Sequence, residues 1–423
     1  MSHRTAERAD LESVAAVTVR DDPRRKALDL RDLHRRWAET ATVPEGVRTA
    51  IARAWSRQAP RPSTAPGRHL PDGAVAERRS QATELRTVLP HLETALLDVA
   101  SEASNELVVC DADGVVLWVR GPAPVRRSSE RLGFVEGACW SEDAVGTNGL
   151  GTAIVDARPI QVFGAEHTDE GHHGWVCSGA PIISPRSGAP AGAITLSGPL
   201  ASAHPNTVAL VSGAVRLAEQ VLALEHRADL ERVRRSAGDL AGAGPVVLVD
   251  DDGWVVQAEG VSVGERVWLP GRLHEGANWA PSLGAVQAQR VPGGWALRPV
   301  STSDVRLELH AGPSPRAVVR TGDQEQEVRL TARHAAIMLA LAAHPEGISG
   351  EQLADAAYDR PVSLVTLRAE VSRLRGRLGP MIDTRPYRLT VPCEVLVGPA
   401  LTARRGIGRQ GRTGSGGLAT SRA

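Results

Sequence analysis

The chain has 423 residues, and at roughly 100–200 residues per domain this length predicts two to four domains. Lys plus Arg number 49 and Asp plus Glu number 49, so the formal net charge is zero, and 42% of the residues are hydrophobic, as in an ordinary globular protein. The only lysine, Lys26, lies outside any G-x-x-x-x-G-K-[ST] motif, which excludes P-loop and kinase phosphate binding within this sequence and disfavours Schiff-base chemistry.

The four cysteines are too few and too widely spaced for a disulfide framework. The N-terminus is charged, and the longest apolar run, Ala335–Ala343, is too short to span a bilayer. We therefore expect a cytoplasmic protein with no membrane partner and no cofactor.

Residues 1–58 are predicted to form a polar N-terminal helical region. Apolar residues repeat there in two groups, Leu28, Leu30, Leu33 and Trp37, and then Val47, Ile51 and Trp55. Residues 59–82 are rich in proline and are predicted to be a linker.

Two heptad-spaced apolar stripes begin and end the next region, residues 83–235. Their members are Leu85, Leu89, Leu92, Leu96 and Val99, and then Leu210, Ala214, Leu217, Val221, Leu224 and Ala228. Such stripes are typical of helices in a parallel dimer, but a helix that packs on its own domain has the same pattern. The sequence leaves both open, and a homodimer is our expectation.

Strand-like segments lie between these two helices. Glu106–Cys110 and Val115–Val119 flank the turn Asp111-Ala-Asp-Gly and predict a hairpin. Further strands are predicted at Ile160–Phe163, Trp175–Ile183 and Pro190–Ser197. The order of helix, hairpin, loops, sheet and helix predicts an α+β sensor domain over residues 83–235.

The densest cluster of unusual residues lies in this region. Residues 133–153 read Gly-Phe-Val-Glu-Gly-Ala-Cys-Trp-Ser-Glu-Asp-Ala-Val-Gly-Thr-Asn-Gly-Leu-Gly-Thr-Ala, and residues 175–182 read Trp-Val-Cys-Ser-Gly-Ala-Pro-Ile. These motifs resemble the GAF sensor domain of acetoin-catabolism-type enhancer-binding activators. The resemblance implies an antiparallel sheet with helices on one side and a small-molecule pocket under loops on the other.

Aromatic and polar residues of these motifs are the candidate ligand-binding residues, because apolar walls with a few polar anchors are typical of small-molecule sites. The candidates are Trp140, Glu142, Asn148, Phe163, His167 and Trp175. The alternative is that they are structural, with the tryptophans in the core and the Asn and Glu side chains bonding to loop backbone.

His167, His172, His173 and Cys177 allow two other hypotheses. Zinc accepts such ligands, but their spacing fits no regular zinc site, and His172 and His173 are expected in an exposed loop, so we predict no metal. Three cysteines in one sensor fold also suggest a GAF-fold thiol enzyme. Their spacing differs from that of GAF-type methionine sulfoxide reductases, so no catalytic residues are predicted.

Residues 240–302 are predicted to form a β-rich middle domain. Strands are expected at Val246–Val249, Val255–Ala258, Arg266–Leu269 and Trp295–Val300, with a turn at Asp250–Gly253 between the first two.

Residues 303–395 combine short strands with three helices. Thr331 is placed to cap the first helix, Ser349 and Gln352 to form a capping box on the second, and the third begins near Ser363. The sequence is similar to OmpR-type winged helix-turn-helix domains in Val-Ser-Arg-Leu-Arg-Gly-Arg-Leu-Gly (371–379) and Thr-Arg-Pro-Tyr-Arg-Leu (384–389). It lacks the family's Gly-x-Gly-Tyr, and its wing is short.

A stripe of apolar residues on the third helix is expected to pack inward: Leu364, Leu367, Val371, Leu374 and Leu378. The opposite face then presents base-reading and phosphate-binding candidates, because arginines on a helix can meet guanine edges or phosphates in the major groove. The candidates are Thr366, Arg368, Ala369, Ser372, Arg373, Arg375 and Arg377, with Arg385 and Arg388 in the wing. Residues 396–423 are expected to be a disordered basic tail.

The predicted fold class is therefore α+β multidomain, with a GAF sensor, a β-rich middle domain and a winged-helix output. The predicted function is a one-component transcriptional regulator without an ATPase domain, with double-stranded DNA and an unknown small-molecule effector as partners. A GAF-fold thiol enzyme and an adaptor that does not bind DNA are the alternatives.

Overall fold

The protein is a mixed α and β chain that divides into two compact units, Met1–Ala228 and Asp229–Ala423. The computed structural model describes residues 14–58, 69–237, 244–269, 273–300, 305–322, 324–358 and 360–397. The predicted tail from residue 398 onward lies outside these residues.

Along the first unit, the described helices are interspersed with the strands of one antiparallel sheet. The helices are α1 (Pro23–Thr40), α2 (Thr49–Ser56), α3 (Asp72–Gln81), α4 (Thr83–Glu102), α5 (Ala123–Glu130), α6 (Glu142–Val145), α7 (Gly151–Asp156) and α8 (Pro205–Ser236), of which α8 continues beyond the unit. The strands are β1 (Glu106–Asp111), β2 (Val116–Arg120), β3 (Ile160–Phe163), β4 (Trp175–Ile183) and β5 (Pro190–Pro199). The predicted hairpin, strands and flanking helices are confirmed.

The first sheet has the strand order β2-β1-β5-β4-β3. One face, which includes Leu107 and Val109, packs against α4 and α8. The opposite face, which includes Val108 and Cys110, lies under the connection that carries Trp140 and Leu150. We call the second face the loop face.

The predicted dimer stripe of α4 packs inside its own unit. Leu85, Leu92 and Leu96 are buried against the sheet, and of that stripe only Val99 is largely exposed. The expectation of a dimer seam on α4 is therefore wrong, because the sheet needs this apolar face as its cover. On α8 the stripe is split, since Ala214 is buried while Leu217 and Leu224 are exposed.

The N-terminal helices pack onto the first sheet. Trp37 and Trp55 stack with their ring centroids 4.6 Å apart, in one cluster with Ile160 and Val162 of β3. Arg48 forms an ion pair with Glu166 at 2.7 Å. Leu28 departs from its predicted apolar group, since it is exposed while Leu30 and Trp37 are buried. The described part of the region predicted over residues 1–58 therefore packs against the first sheet.

The predicted linker, residues 59–82, contains a helix. Residues 59–68 lie outside the described part, but α3 occupies Asp72–Gln81 and buries Val75. Its Arg78 forms an ion pair with Asp111 at 2.6 Å. The last proline of the segment, Pro71, precedes α3, and a proline at this position is compatible with a helix start.

The second unit begins with another five-stranded antiparallel sheet. Its strands are β6 (Val246–Asp250), β7 (Val255–Glu259), β8 (Gly276–Ala280), β9 (Gly284–Val291) and β10 (Gly294–Pro299), in the order β7-β6-β10-β9-β8. The predicted strand Arg266–Leu269 is wrong, because Arg266 forms only an isolated bridge with Trp254. The sequence reading missed β8 and β9, whose glycines and alanines have weak strand propensity.

The C-terminal part of the second unit holds a four-stranded sheet, three helices and a hairpin. The elements are β11 (Val305–Ala311), β12 (Arg316–Thr321), β13 (Gln324–Arg329), α9 (Ala332–Ala342), α10 (Gly350–Ala357), α11 (Leu364–Leu378), β14 (Ile382–Thr384), β15 (Tyr387–Leu389) and β16 (Cys393–Val397). Thr331, Ser349 and Ser363 each accept a backbone N–H at the helix starts. The predicted caps Thr331 and Ser349 are confirmed, as is the start of the third helix near Ser363, whereas β16, which pairs in parallel with β11, was not predicted.

Among the residues that the structure describes, one helix, α8, is long and apolar enough to cross a membrane by length and composition alone. One such helix is weak evidence for a membrane protein, because a helix that lines a domain core passes the same test. The helix α8 packs Val211, Val215 and Leu222 against the first unit's own core.

Candidate functional site

Polar side chains lie on the loop face of the first sheet. Glu106 of β1 lies opposite Ser197 of β5, which lies opposite Cys177 of β4. The Ser197 hydroxyl donates to the Cys177 sulfur at 3.3 Å and lies 3.2 Å from the Thr195 hydroxyl. We call Glu106, Cys177, Thr195 and Ser197 the polar row. All four side chains are buried, so the polar row lies inside the domain.

Glu106 is the carboxylic acid of this row. The Ser129 hydroxyl donates to Glu106 Oε2 at 2.9 Å, while Oε1 has no hydrogen-bond partner among the described residues. Burial raises the pKa of the Glu106 carboxyl to about 7, against the opposing effects of the Ser129 hydrogen bond and the Arg126 charge. Desolvation is the cause, because a buried carboxyl loses the water that stabilises its charged form.

Two buried histidines each present a nitrogen with no partner within the described part of the chain. His167 Nδ1 lies 2.9 Å from the Gly164 carbonyl oxygen, and His172 Nε2 lies 3.4 Å from the Leu132 carbonyl oxygen. A carbonyl only accepts, so these nitrogens carry the protons, and His167 Nε2 and His172 Nδ1 are left as unpaired acceptors.

Burial keeps both rings neutral. It lowers the pKa of His167 to about 3, with a further contribution from the neighbouring His172, and it also lowers the pKa of His172. The two ring centroids are 6.0 Å apart. The prediction that His172 lies in an exposed loop is wrong, because the 3-10 turn Glu170–His172 folds its ring inward.

An aromatic wall adjoins the histidines. The Trp140 ring lies 4.8 Å from the His172 ring and 3.7 Å from the Phe134 ring, centroid to centroid. The Trp140 Nε1–H donates to the Gly133 carbonyl at 3.0 Å, so its polar edge is satisfied and its ring face serves as apolar surface.

The segment 129–134 connects Glu106 to the histidines. Ser129 bonds to Glu106, Leu132 bonds to His172, and Phe134 lies against Trp140. We call this set of buried residues, Glu106, His167, His172, Trp140 and Phe134, the polar interior.

Two predicted ligand residues, Glu142 and Asn148, are occupied by structural contacts. Asn148 Oδ1 accepts from the backbone N–H groups of Leu150 and Gly151, and its Nδ2 donates to the carbonyls of Trp140 and Gly146. Glu142 forms a bidentate ion pair with Arg57, both contacts at 2.8 Å, and accepts from Thr152. These contacts correspond to the structural alternative that the sequence left open.

The other four predicted ligand residues lie in different parts of the first unit. Phe163 packs with Ala16, Val17 and Val176 near the N-terminal segment, and Trp175 lies at the start of β4 opposite Pro199. Trp140 and His167 border the polar interior. Sequence reasoning missed Glu106, Ser129 and Phe134. A carboxylate at the start of the apolar strand Glu-Leu-Val-Val-Cys was the available signal for Glu106.

Three cysteines, Cys110, Cys177 and Cys393, are poor nucleophiles in this environment. Burial raises the pKa of Cys177 to about 12 and that of Cys393 to about 11, and it raises the pKa of Cys110 further. The thiolate is the reactive form, so these values disfavour Cys110, Cys177 and Cys393 as the nucleophile of a thiol enzyme. Within the described ranges no group of three or more His, Cys, Asp or Glu residues is placed to hold a metal ion.

A second candidate site lies on α11. Leu367, Val371, Leu374 and Leu378 are buried and Leu364 is half-buried, which confirms the predicted inward stripe. The predicted outward residues Thr366, Arg368, Ala369, Ser372, Arg373 and Arg375 are exposed, and Arg377 is half-buried.

The exposed face of α11 borders a cleft of about 750 Å³. Its lining comes from the start of α10, the outward face of α11 and the β14–β15 hairpin, and includes Arg368, Ser372, Arg375, Arg385 and Tyr387. Arg373 forms an ion pair with Glu370, and Arg388 lies 3.4 Å from Asp383. These two arginines are therefore partly neutralised, whereas Arg368, Arg375 and Arg385 line the cleft.

Residues 31–220 match the family described as the MimR N-terminal domain. This range takes in most of α1, the first sheet and half of α8, and thus the polar interior.

Relatives of this chain include named transcriptional activators. A 47.3 kDa protein from the thcA 5' region of Rhodococcus erythropolis is 28% identical over 399 residues, which are 92% of this chain and 75% of that protein. The acetoin dehydrogenase operon activator AcoR of Bacillus subtilis is 38% identical over 41% of this chain and 29% of its own length. The propane 2-monooxygenase operon activator MimR of Mycolicibacterium smegmatis is 28% identical over 50% of this chain and 37% of its own length. The chain thus spans well under half the length of either named activator.

Proposed function

We propose that the protein is a one-component transcriptional regulator in which the first unit senses a small molecule and the C-terminal part of the second unit binds double-stranded DNA. The observation that carries the proposal is the exposed face of α11, which presents Arg368, Ser372 and Arg375 to a cleft while its apolar stripe is buried. An α-helix with arginines on its free face fits the major groove.

The arrangement around α11 supports a winged helix-turn-helix. Three helices, a four-stranded sheet and the β14–β15 hairpin surround one core. The residues Thr366, Arg368, Ala369 and Ser372 then read base edges, and Arg375 and Arg377 contact phosphates. Arg385 of the hairpin lines the same cleft and adds a backbone contact. Arg373 and Arg388 are weaker candidates because each already has an acidic neighbour.

The first unit supports the sensor half of the proposal. An antiparallel sheet with helices on one face and a polar interior on the other is the layout of a GAF-type domain. The names of the relatives as operon activators agree with a sensor coupled to transcription. The proposal includes no ATP hydrolysis, because Lys26 lies outside a P-loop motif, so regulation acts through placement on DNA.

A homodimer through α8 is part of the proposal. Leu217 and Leu224 are 65% and 61% exposed and stand seven residues apart on one side of the helix. Large apolar side chains in this spacing form the seam of paired helices.

The test is affinity as a function of salt on two duplexes, one selected from a random pool and one of random sequence. We expect Arg368→Ala to lose about 1–3 kcal/mol on the selected duplex and to relax sequence preference. We expect Arg377→Ala to weaken both duplexes alike and to reduce the salt slope by about one. Arg306→Ala, an exposed change on β11, is the matched control and should bind as the parent does.

Unchanged affinity in both variants would contradict the DNA-binding assignment. A parent protein that binds neither duplex would favour the adaptor alternative instead.

A further inference from the structure

We infer that the β8–β9 hairpin of the second sheet positions the wing for its contact with DNA, and that Trp279 is the residue through which the hairpin acts. The wing is the β14–β15 hairpin, with Arg385 in its turn. This inference rests on the proposed DNA-binding function and gives the second sheet a part in it.

Two residues of the second sheet lie in the core of the C-terminal part. Trp279 of β8 is 1% exposed, and together with Ala285 of β9 it belongs to the apolar cluster that includes Leu378 of α11 and Met381. The strand β8 also lies against β12 and β13. Because aromatic side chains bury the largest apolar areas in a core, Trp279 anchors the β8–β9 hairpin in the same core that holds α11.

The β8–β9 hairpin lies directly against the turn that joins α11 to the wing. This turn is a 3-10 segment of three residues, 379–381, between the end of α11 and the start of β14. A Cβ on Gly379 would overlap the Pro281 carbonyl oxygen of the hairpin. A Cβ on Gly284 would lie 3.6 Å from Pro380 Cγ. The glycines at these two positions therefore let the hairpin and the turn approach closely.

The end of the wing bonds to the same turn. The Thr390 N–H donates to the Met381 carbonyl at 2.9 Å, and the Thr390 hydroxyl donates to the Pro380 carbonyl at 2.7 Å. The turn is thus held by the β8–β9 hairpin and by the residue that follows β15. Because a turn of three residues leaves little freedom between α11 and β14, its position determines the direction in which the wing leaves α11.

The wing and α11 have to meet the same duplex, since Arg385 and Arg368 line one cleft. A second anchor joins the wing to the segment before α10, where Ile348 and Tyr387 exchange backbone hydrogen bonds of 2.9 and 3.0 Å. Two anchors fix the direction of the wing, whereas one anchor leaves a hinge. A group that must be ordered on binding contributes less to affinity, so loss of Trp279 should reduce the contribution of Arg385 and spare that of Arg368.

The test combines DNA affinity with hydrogen exchange, both on the full chain. On the selected duplex of the DNA titration, we expect Arg385→Ala to weaken binding of the parent about tenfold, because a charged hydrogen bond is lost. In the Trp279→Ala background the same change should weaken binding less than about twofold, whereas Arg368→Ala should keep its full effect. Without DNA, amide exchange in residues 379–391 should be about tenfold faster in Trp279→Ala than in the parent, and exchange in residues 364–371 should be unchanged.

Two variants separate positioning of the wing from a general loss of stability. Trp279→Phe keeps a large ring and removes only the indole N–H, which has no hydrogen-bond partner among the described residues, so it should behave as the parent does. Trp295→Ala makes the tryptophan-to-alanine change on β10, at a half-buried side chain that packs on the sheet's own apolar cluster. It should leave the effect of Arg385→Ala at about tenfold. Trp279→Leu replaces Trp279→Ala if that variant does not fold.

Each other outcome overturns either the inference or the proposed function. Unchanged exchange in residues 379–391 would mean that the hairpin does not hold the wing. An equal effect of Arg385→Ala in both backgrounds, or no effect in the parent, would mean that the hairpin does not set a DNA contact of the wing. If Arg368→Ala loses its effect in the Trp279→Ala background, the role of Trp279 is general stability. A parent that binds neither duplex rejects the proposed DNA binding, and exchange alone then decides whether the hairpin holds the wing.

Discussion

The two five-stranded sheets have the same strand order, and matching hydrogen bonds form in the first hairpin of each. In the first hairpin Asp111 Oδ1 accepts from the backbone N–H groups of Asp113 and Val115, both at 3.0 Å. In the second hairpin Asp250 Oδ1 accepts from those of Asp252 and Trp254, at 3.0 and 2.8 Å. Each hairpin also has a register irregularity just before its aspartate. The two sheets are therefore two copies of one topology with the same turn chemistry.

The sheets differ in what fills the loop face. In the first sheet this face carries Glu106, Cys177, Thr195 and Ser197, and it lies under the β2–β3 connection, while the β3–β4 connection contributes the buried histidines. In the second sheet the corresponding face is an apolar cluster that includes Val249, Val286 and Leu297. This difference indicates that turns and glycines define this topology, and that the residues on the loop face can be polar or apolar.

The largest expected effect concerns one glycine in each copy. A Cβ on Gly192 would lie 2.2 Å from the Cys110 carbonyl oxygen, and a Cβ on Gly294 would lie 2.1 Å from that of Val249. Backbone must move in both cases, so we expect Gly192→Ala and Gly294→Ala each to destabilise their own unit by about 3 kcal/mol or more. Denaturant unfolding of the full chain measures both.

Gly213→Ala is the matched control for these two variants. A Cβ there meets nothing within 4 Å, and the position lies inside α8, so this change should stabilise by about 0.5–1 kcal/mol. Equal stability of Gly294→Ala and the parent would contradict the equivalence of the two sheets.

The second prediction concerns the pH dependence of the first unit. The pKa of Glu106 rises from its ordinary value of 4.5 to about 7 on folding, so between these pH values the folded state holds a proton that the unfolded state has released. The contribution of Glu106 to the unfolding free energy is therefore present below pH 4.5 and is lost as pH rises through about 7. We expect the difference in unfolding free energy between parent and Glu106→Gln to change by about 3 kcal/mol over this window.

The contribution of His167 to the unfolding free energy depends on pH in the opposite direction. Its pKa is lowered from 6.5 to about 3, so this contribution is lost as pH falls below 6.5. This contribution is common to parent and variant and cancels in the difference. Parallel pH curves for the two proteins would show that Glu106 is not desolvated in the folded state.

The elements that could be predicted from the sequence are those with a local signal. The turns at Asp111 and Asp250, the caps Thr331 and Ser349, the start of α11 near Ser363 and the inward stripe of α11 each depend on neighbouring residues. The strands β8, β9 and β16 could not be predicted, because the glycines and alanines of β8 and β9 have weak strand propensity and β16 is specified by its pairing with the distant strand β11.

The site was harder to predict because residue type does not reveal which contacts a side chain already has. Glu142 and Asn148 had the composition of ligand anchors, but Arg57 and the 146–151 loop backbone occupy them. His172 was expected to be exposed because it stands between glycine and histidine in a short loop. Its burial depends on the contact with Trp140, which is distant in sequence.

The third prediction exchanges the loop-face chemistry of the two sheets. Leu297→Thr places a hydroxyl in an apolar cluster and removes carbon atoms, and we expect a loss of about 2–3 kcal/mol. Thr195→Val removes a hydroxyl whose partners, the Leu196 carbonyl and Ser197, lie at 3.4 and 3.2 Å, and we expect a loss below about 1 kcal/mol. Thermal unfolding measures both. A larger loss for Thr195→Val than for Leu297→Thr would mean that the polar row is needed for the fold.

The smallest expected effect on stability concerns α8, whose stripe differs from that of α4 in being partly exposed. Leu217 and Leu224 are 65% and 61% exposed, so replacing both with Glu should change the stability of the isolated subunit by no more than about 0.5 kcal/mol per site. In a paired-helix seam the same charges would be buried, so we expect a change from dimer to monomer in sedimentation. Arg216→Glu, an exposed change on another side of α8, should leave the mass unchanged. If the double variant keeps the parent's mass, the α8 seam is not the interface, and the exposed leucines need another partner.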